Sequence, residues 1–211
     1  MPDIDPPATP PGEVQIDLVP VGTPLWRIHG PNYQATQMNP VPRPTELAGG
    51  RFDSLAGDYS YLYLAGDLDG AMAEAIFRDL PLDGRPRRIL KAAWSGLRVS
   101  ELVVTRTIAM AACHGAALAH LGQDLWLTTC DPVDYVKTRR WAAAIRRWAP
   151  DTDGLLYRCR NDNDRLAAVL FAPPTQRRAD CLEIVTESDL TDPVIFDVLQ
   201  KVALRHHAIL G

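Results

Sequence analysis

Proline is the residue that most constrains how this 211-residue chain can fold, because eleven of its 18 prolines lie within the first 44 residues. Proline fixes φ and has no backbone N–H donor, so this region cannot form a regular helix or a central strand. We predict a disordered tail over residues 1–19 and an extended, irregular segment over residues 20–44. Within that segment Leu25 and Trp26 interrupt a polar run, which predicts one short strand over Pro24–His29.

Beyond residue 49 the sequence predicts a mixed α/β domain, so that residues 20–211 form one domain. Runs of large side chains between glycine-rich turns predict strands, and Asp-Pro pairs predict helix starts. The predicted strands are Tyr59–Ala65, Arg88–Ala93, Leu97–Thr105, Leu155–Arg158, Leu166–Phe171 and Cys181–Thr186. The predicted helices are Ala71–Arg78 closed by Pro81, the alanine-rich Ile108–Leu121, Asp131–Trp148, and a last one that Asp192-Pro193 opens and whose apolar face reaches Ile209.

Charge and hydropathy exclude several classes of protein. The net charge is −4, whereas a duplex nucleic-acid binder normally has a basic excess. The longest run without a charged residue, Thr107–Gln123, contains two histidines and falls short of the about 20 apolar residues that span a membrane. The first residues are acidic and proline-rich, unlike a secretory signal. We therefore expect a cytoplasmic protein that binds neither nucleic acid nor membrane directly.

The four cysteines do not indicate a metal site. No two of them form a C-x-x-C pair, and the closest two are 17 residues apart. Zinc sites built from thiolates normally have short spacings. We expect free thiols in or near the core, and no metal, at Cys113, Cys130, Cys159 and Cys181.

One segment combines an aromatic ring and a carboxylate that could form a site. A strand carrying Tyr63 runs through a turn into a helix carrying Glu74, so a phenol ring and a carboxylate can meet at one end of the sheet. A strand tyrosine is usually a core residue and a helix glutamate is usually solvated. Glu74, however, lies among the small apolar residues of Ala71–Ile76, which favours a position in a cleft.

The arginines allow two interpretations. Arg27 follows Trp26 and Arg51 precedes Phe52, and a guanidinium suits phosphate groups. From these residues alone, exposed arginines packed on the neighbouring rings are the favoured interpretation. The basic residues of the helix before Trp148 (Lys137, Arg139, Arg140, Arg146 and Arg147) spread around it, which favours a solvated face with its tryptophans turned to the core. Motifs typical of Rossmann, P-loop and nucleophile-elbow enzymes do not occur.

Several short motifs, taken in order, resemble the RES domain, a family named for its Arg, Glu and Ser. The likeness covers roughly residues 25–171. It rests on Trp26-Arg27, on Gly49-Gly50-Arg51-Phe52, on Tyr61–Ala65 leading into Gly70–Glu74, on Tyr135–Ala142, and on Asp153–Arg160 followed by Ala168–Phe171.

This resemblance implies both a fold and an activity. RES proteins resemble ADP-ribosyltransferase toxins, in which a split mixed sheet with flanking helices clasps NAD+. They are typically toxins that cleave NAD+ between nicotinamide and ribose, with water or phosphate as acceptor, and that an Xre-type antitoxin holds inactive. NAD+ would then be the substrate, and no cofactor is implied.

The resemblance also implies roles for individual residues. Arg27 and Arg51 would hold the phosphates of the dinucleotide, and Tyr63 would stack on or orient its nicotinamide end. Glu74 would stabilise the positive charge that develops on the ribose and position the acceptor. Cys159 stands where the family has serine, and a thiol is a much weaker hydrogen-bond partner than a hydroxyl. Three alternatives follow: catalysis is weakened there, a neighbouring serine such as Ser60 takes that place, or the family's serine position corresponds to a residue a few positions away from Cys159.

Three alternatives stay open at this point. The protein could transfer ADP-ribose to a macromolecule, it could bind NAD+ without turnover because of Cys159, or it could bind a partner protein through the proline-rich segment. The sequence leaves open the acceptor, the oligomeric state and the existence of a cognate antitoxin.

Overall fold

The computed structural model describes residues 5–46, 48–80 and 84–211. Pro81, the predicted end of the first long helix, lies outside them. The described residues form ten strands: β1 Ile16–Val19, β2 Pro24–His29, β3 Ser60–Ala65, β4 Arg87–Ile89, β5 Arg98–Val104, β6 Ile108–Cys113, β7 Gly154–Cys159, β8 Asp162–Ala172, β9 Leu182–Asp189 and β10 Ala208–Leu210. Their α-helices are α1 Leu68–Met72, α2 Ala117–His120, α3 Trp126–Thr129, α4 Tyr135–Trp148 and α5 Pro193–Arg205.

Eight of the strands form one mixed sheet in the order β1-β6-β7-β8-β3-β2-β5-β9. Only β6 and β7 run parallel within it, and β10 pairs with β4 in a separate parallel ribbon. The centre of the sheet is divided, because β2 and β3 pair at a single position, Trp26 opposite Ala65. This architecture confirms the predicted split mixed sheet with flanking helices.

Successive side chains along the strands point to opposite faces of the sheet, and both faces are buried. Tyr61 and Tyr157 point to the face that α4 covers, where they pack with Trp141 and Ile145. Leu62, one residue on from Tyr61, points to the other face, into a second cluster. A third cluster forms between α5 and the segment that follows α1.

The alanine-rich segment Ile108–Leu121 is not the predicted helix. Residues 108–113 form β6, a strand inside the sheet between β1 and β7, and only Ala117–His120 are α-helical. Five of the six side chains of β6 are buried, so the strand lacks the polar alternation that would have marked it. Burial in the sheet overrides the helix propensity of its alanines.

The predicted disordered tail is also corrected for residues 5–19, the part of it that the structure describes. Ile16–Val19, within the predicted 1–19 tail, form β1 and pair antiparallel with β6. Upstream of them, Asp5 accepts a hydrogen bond from Arg140 on α4, at 2.7 Å. The strand predicted over Pro24–His29 is confirmed as β2, at the same bounds.

Smaller differences concern element ends. The predicted strand Arg88–Ala93 is divided into β4 and a 3₁₀ turn over Lys91–Ala93. The last helix ends at Arg205, so Ile209 belongs to β10. In the part of the chain that the structure describes, no helix is long and apolar enough to cross a membrane.

Candidate active site

A cavity of about 180 Å³ opens where β2 and β3 diverge. Trp26, Ala65, Ala167 and Tyr157 lie side by side in one register row across four strands, and all of them except Ala167 line the cavity. The two alanines are small, so space remains between the aromatic side chains of the row. The cavity is lined by Trp26, Arg27, Ile28, Tyr63, Leu64, Ala65, Ala71, Glu74, Ala75, Arg78 and Tyr157.

Glu74 reaches this cavity from a short helical segment behind β3. Asp67 caps α1 by accepting a hydrogen bond from the backbone N–H of Gly70, at 2.7 Å. The chain then continues as a π-helical segment, Ala73–Phe77, which contains Glu74. π-Helical segments are rare in proteins, but those that do occur often lie at functional sites.

Three donors fix the Glu74 carboxylate. Arg51 Nη2 donates to Oε2 at 2.6 Å and the Tyr157 hydroxyl donates to the same oxygen at 3.3 Å. The backbone N–H of Arg160 donates to Oε1 at 2.8 Å. The side chain of Glu74 is 13% exposed. The carboxylate is therefore held in one orientation at the cavity wall, as the prediction of a cleft carboxylate requires.

Arg51 lies behind Glu74 and does not line the cavity. Its side chain is only 2% exposed, and its guanidinium lies 5.3 Å from the centroid of the Tyr157 ring. Burial by itself would lower the pKa of Arg51, but the Glu74 carboxylate raises it above its ordinary value. The favoured interpretation from the residues alone, an exposed arginine, is wrong. The phosphate contact of Arg51 stays a prediction that this geometry does not favour, and we assign the residue to orienting Glu74.

Tyr63 presents its ring to the cavity while its hydroxyl is held from behind. The hydroxyl donates to Asp53 Oδ1 at 2.7 Å and accepts from the backbone N–H of Phe52 at 2.9 Å. Asp53 also accepts from the backbone N–H of Gly50 at 2.8 Å. Burial, together with the Asp53 carboxylate, raises the pKa of Tyr63 well above its ordinary value. Tyr63 thus offers a neutral ring surface for stacking, and sequence reasoning missed Asp53, which orients it.

The loop that delivers Arg51 is fixed by helix α4. Arg139 is fully buried and donates to the backbone carbonyl oxygens of Arg43, Thr45, Ala48 and Gly50. Next to it, the Thr138 hydroxyl donates to the carbonyl oxygen of Arg51 at 2.7 Å. The predicted solvated face of α4 is therefore wrong for Arg139, whereas Trp141 is buried as expected.

Two cationic side chains do line the cavity. Arg27 Nη1 donates to the carbonyl oxygens of Gln34, Ala35 and Gln37, and burial lowers the pKa of Arg27 to about 10, so it remains a cation at neutral pH. Arg78, missed by sequence reasoning, is held by Asp79 at 2.9 Å. Its spacing of four residues from Glu74 was the available signal, since residues so spaced on a helix share a face.

Comparison with known proteins identifies the family. The RES domain description matches residues 24–191, which is most of the chain. The chain belongs to the RES family. Among solved structures, this RES domain is similar to a chain of the M. tuberculosis MbcT–MbcA toxin–antitoxin complex, at 18% identity and a TM-score of 0.58, over 87% of this chain and 92% of the other. No curated protein matches the sequence.

In this RES domain Cys159 lies beneath the cavity rather than on its wall. It is fully buried, its Sγ lies 3.9 Å from the carbonyl oxygen of Gly70, and burial raises the pKa of its thiol. The structure therefore does not bring Cys159 to a substrate-contacting position. Ser60 is no substitute, because it donates to the carbonyl oxygens of Pro173 and Gln176 and does not line the cavity. All four cysteines are free and buried, as predicted.

Proposed function

We propose that this RES protein cleaves NAD+ at the bond between nicotinamide and ribose. The observation that carries the proposal is the Glu74 carboxylate, fixed by three donors at the wall of a cavity with aromatic sides. Positive charge develops on the ribose as the bond breaks, and a preorganised carboxylate stabilises that charge. Since Glu74 is already in place, little reorganisation is needed when the charge appears.

The size of the cavity suggests how the substrate lies. At about 180 Å³ it is smaller than the roughly 300–1,000 Å³ of most small-molecule sites, so it suits one end of a dinucleotide. We place the nicotinamide ring there, against the rings of Tyr63, Tyr157 and Trp26. The pyrophosphate then lies towards Arg27 and Arg78, the two arginines that line the cavity.

The proposed reaction breaks the C1′–N bond of the nicotinamide riboside unit. The electron pair of that bond leaves with the ring nitrogen, so nicotinamide departs as a neutral molecule. An oxygen of water or of phosphate forms the new bond to C1′. When water attacks, it loses a proton, which the Glu74 carboxylate can accept. The products are nicotinamide and either ADP-ribose or its 1′-phosphate. NAD+ is thus consumed as substrate, and no cofactor takes part.

We further propose that the protein is a toxin held inactive by an Xre-type antitoxin. Membership of the RES family supports this, as does the likeness to a chain of the M. tuberculosis toxin–antitoxin complex. Co-expression with the product of a neighbouring helix-turn-helix gene should relieve growth arrest by the wild-type protein. Growth arrest that persists when the product of each neighbouring helix-turn-helix gene is co-expressed would contradict this part of the proposal.

The decisive experiment measures NAD+ loss and nicotinamide release by the purified protein, with and without phosphate. Glu74→Gln should lower kcat about 100-fold or more, the usual effect of removing one preorganised charge-stabilising group. Glu183→Gln, on the exposed face of β9, is the matched control and should retain full activity.

Each other outcome has a definite meaning. NAD+ binding without turnover would support an inactive binding protein and refute the enzyme proposal. ADP-ribose recovered on a macromolecule would identify a transferase. Absence of NAD+ binding would refute the assignment of the cavity.

A further inference from the structure

The two-residue turn between β7 and β8, Arg160-Asn161, touches the segment that carries Glu74 at several points. We infer that Asn161 is a positioning residue for Glu74: its side-chain amide fixes the end of the π-helical segment and holds the turn whose backbone N–H binds the carboxylate. This inference rests on the proposed function of Glu74.

The side chain of Asn161 binds the end of the helical segment. Asn161 Nδ2 donates to the carbonyl oxygen of Phe77 at 2.7 Å and to that of Arg78 at 3.0 Å. Carbonyl groups at the end of a helix have no partner within the helix, so another group must satisfy them. Both partners of Nδ2 are acceptors, which fixes the amide with its nitrogen towards the helix.

Arg160, the other residue of the turn, binds both Glu74 and the helix end. The backbone N–H of Arg160 donates to Glu74 Oε1 at 2.8 Å, and its Nη1 donates to the carbonyl oxygen of Arg78 at 3.3 Å. Since Asn161 is bonded to the helix, the N–H of Arg160 cannot move away from Glu74 without breaking those bonds. The helix end, the turn and the Glu74 carboxylate are therefore connected by one network of hydrogen bonds.

The chemistry of the amide explains why asparagine is needed. Aspartate has the same shape but offers only acceptors when ionised, so it would face two carbonyl oxygens without a proton to give. Alanine removes the donor without adding a charge. Neither change removes a side chain that lines the cavity, and Arg27 and Trp26 lie on β2. Asn161 contacts Arg78 through the backbone carbonyl oxygen, whereas the Arg78 guanidinium is held by Asp79, so substrate binding by these lining side chains is expected to persist.

The test compares Asn161→Asp and Asn161→Ala with Asn163→Asp, a matched change at an exposed position of the same hairpin. We expect both Asn161 variants to lose about 10-fold to 100-fold in kcat, because small misplacement of a reacting group has effects of that size. KM for NAD+ should stay within about 2-fold, and Asn163→Asp should match the wild type. Hydrogen exchange of residues 73–80 should become faster in the Asn161 variants alone.

The outcomes separate the two proposals. A wild-type protein that releases no nicotinamide refutes the proposed function, whatever the variants do. An active wild type with unchanged kcat in Asn161→Ala, or with kcat and KM altered in parallel, refutes the positioning role. Thermal melting shows whether either variant is folded, and if Asn161→Asp does not fold, Asn161→Ala decides the question.

Discussion

The ion pair between Arg51 and Glu74 makes a quantitative prediction, because both partners are shielded from solvent. Arg51 Nη2 and Glu74 Oε2 are 2.6 Å apart, and two further nitrogens of Arg51, Nε and Nη1, are buried without a hydrogen-bond partner within the described residues. Breaking a buried pair from one side costs about 3–5 kcal/mol, since a charge is left uncompensated. We expect Arg51→Met to lower the free energy of unfolding by about 3 kcal/mol, because Tyr157 and Arg160 still bind Glu74. Glu74→Gln should cost as much or more.

The double variant is the informative one. With both charges removed, no uncompensated ion remains, and buried pairs replaced by neutral groups often lose little stability. Arg51→Met/Glu74→Gln should therefore lie within about 1 kcal/mol of the wild type, which gives a coupling free energy of at least about 5 kcal/mol when it is set against the two single variants. Its nicotinamide release should nevertheless be as low as that of Glu74→Gln.

Urea unfolding followed by tryptophan fluorescence measures each member of the cycle. The exposed pair between Lys201 and Asp197 on α5, also 2.6 Å long, is the control. Its coupling should be about 0.3–0.5 kcal/mol at low salt and should shrink in 1 M NaCl, whereas the buried pair should not respond to salt. Additive single variants, or a coupling no larger than that of the surface pair, would refute the reasoning.

The remaining predictions concern substrate binding, pH and thiols. Arg78→Gln should raise KM for NAD+ about 10-fold with little change in kcat, as expected for a uniform binding contact; a fall in kcat alone would contradict that role. Burial lowers the pKa of His29 and of His206 below the ordinary value of 6.5. The unfolded chain therefore binds protons first as pH falls below about 6.5, and the melting temperature should decrease between pH 7.5 and pH 5.5; His29→Gln should reduce that decrease. Burial also raises the pKa of all four thiols, to about 11 for Cys130. Iodoacetamide at pH 8 should modify the cysteines of the native protein slowly, whereas in urea it should modify all four. Rapid labelling of the native protein would contradict the burial of the thiols.

The sequence predicts those parts of the fold that local signals mark. Proline and aromatic residues mark the position of β2 in the sequence, and an alternation of large side chains marks β3. The strand β6 could not be predicted because both of its faces are buried. Its alanine-rich sequence therefore has no alternation of polar and apolar residues. What determines its conformation is pairing with residues far away in the chain, such as Leu155 of β7.

The candidate site likewise contains residues that local sequence signals mark and residues whose role depends on distant contacts. Glu74 and Tyr63 stand out because of their immediate neighbours, and the structure brings both to one cavity. The role of Arg51 could not be predicted from sequence, because its contact with Glu74 spans 23 positions and its burial leaves no local pattern. Asp53 and Arg139 could not be found for a similar reason, because an aspartate in a turn and an arginine on a helix look solvated until their partners are known.

The single register position that joins β2 to β3 has a mechanical consequence. On one side of that junction lie β2, β5 and β9, and on the other lie the remaining five strands of the sheet. Separating the two sides at the sheet breaks the backbone bonds of one residue pair, Trp26 with Ala65, instead of a full ladder. At this junction fewer backbone hydrogen bonds oppose a change in the width of the cavity than at the other strand junctions of the sheet, and a dinucleotide long enough to touch Arg27 and Tyr157 together would link its two halves.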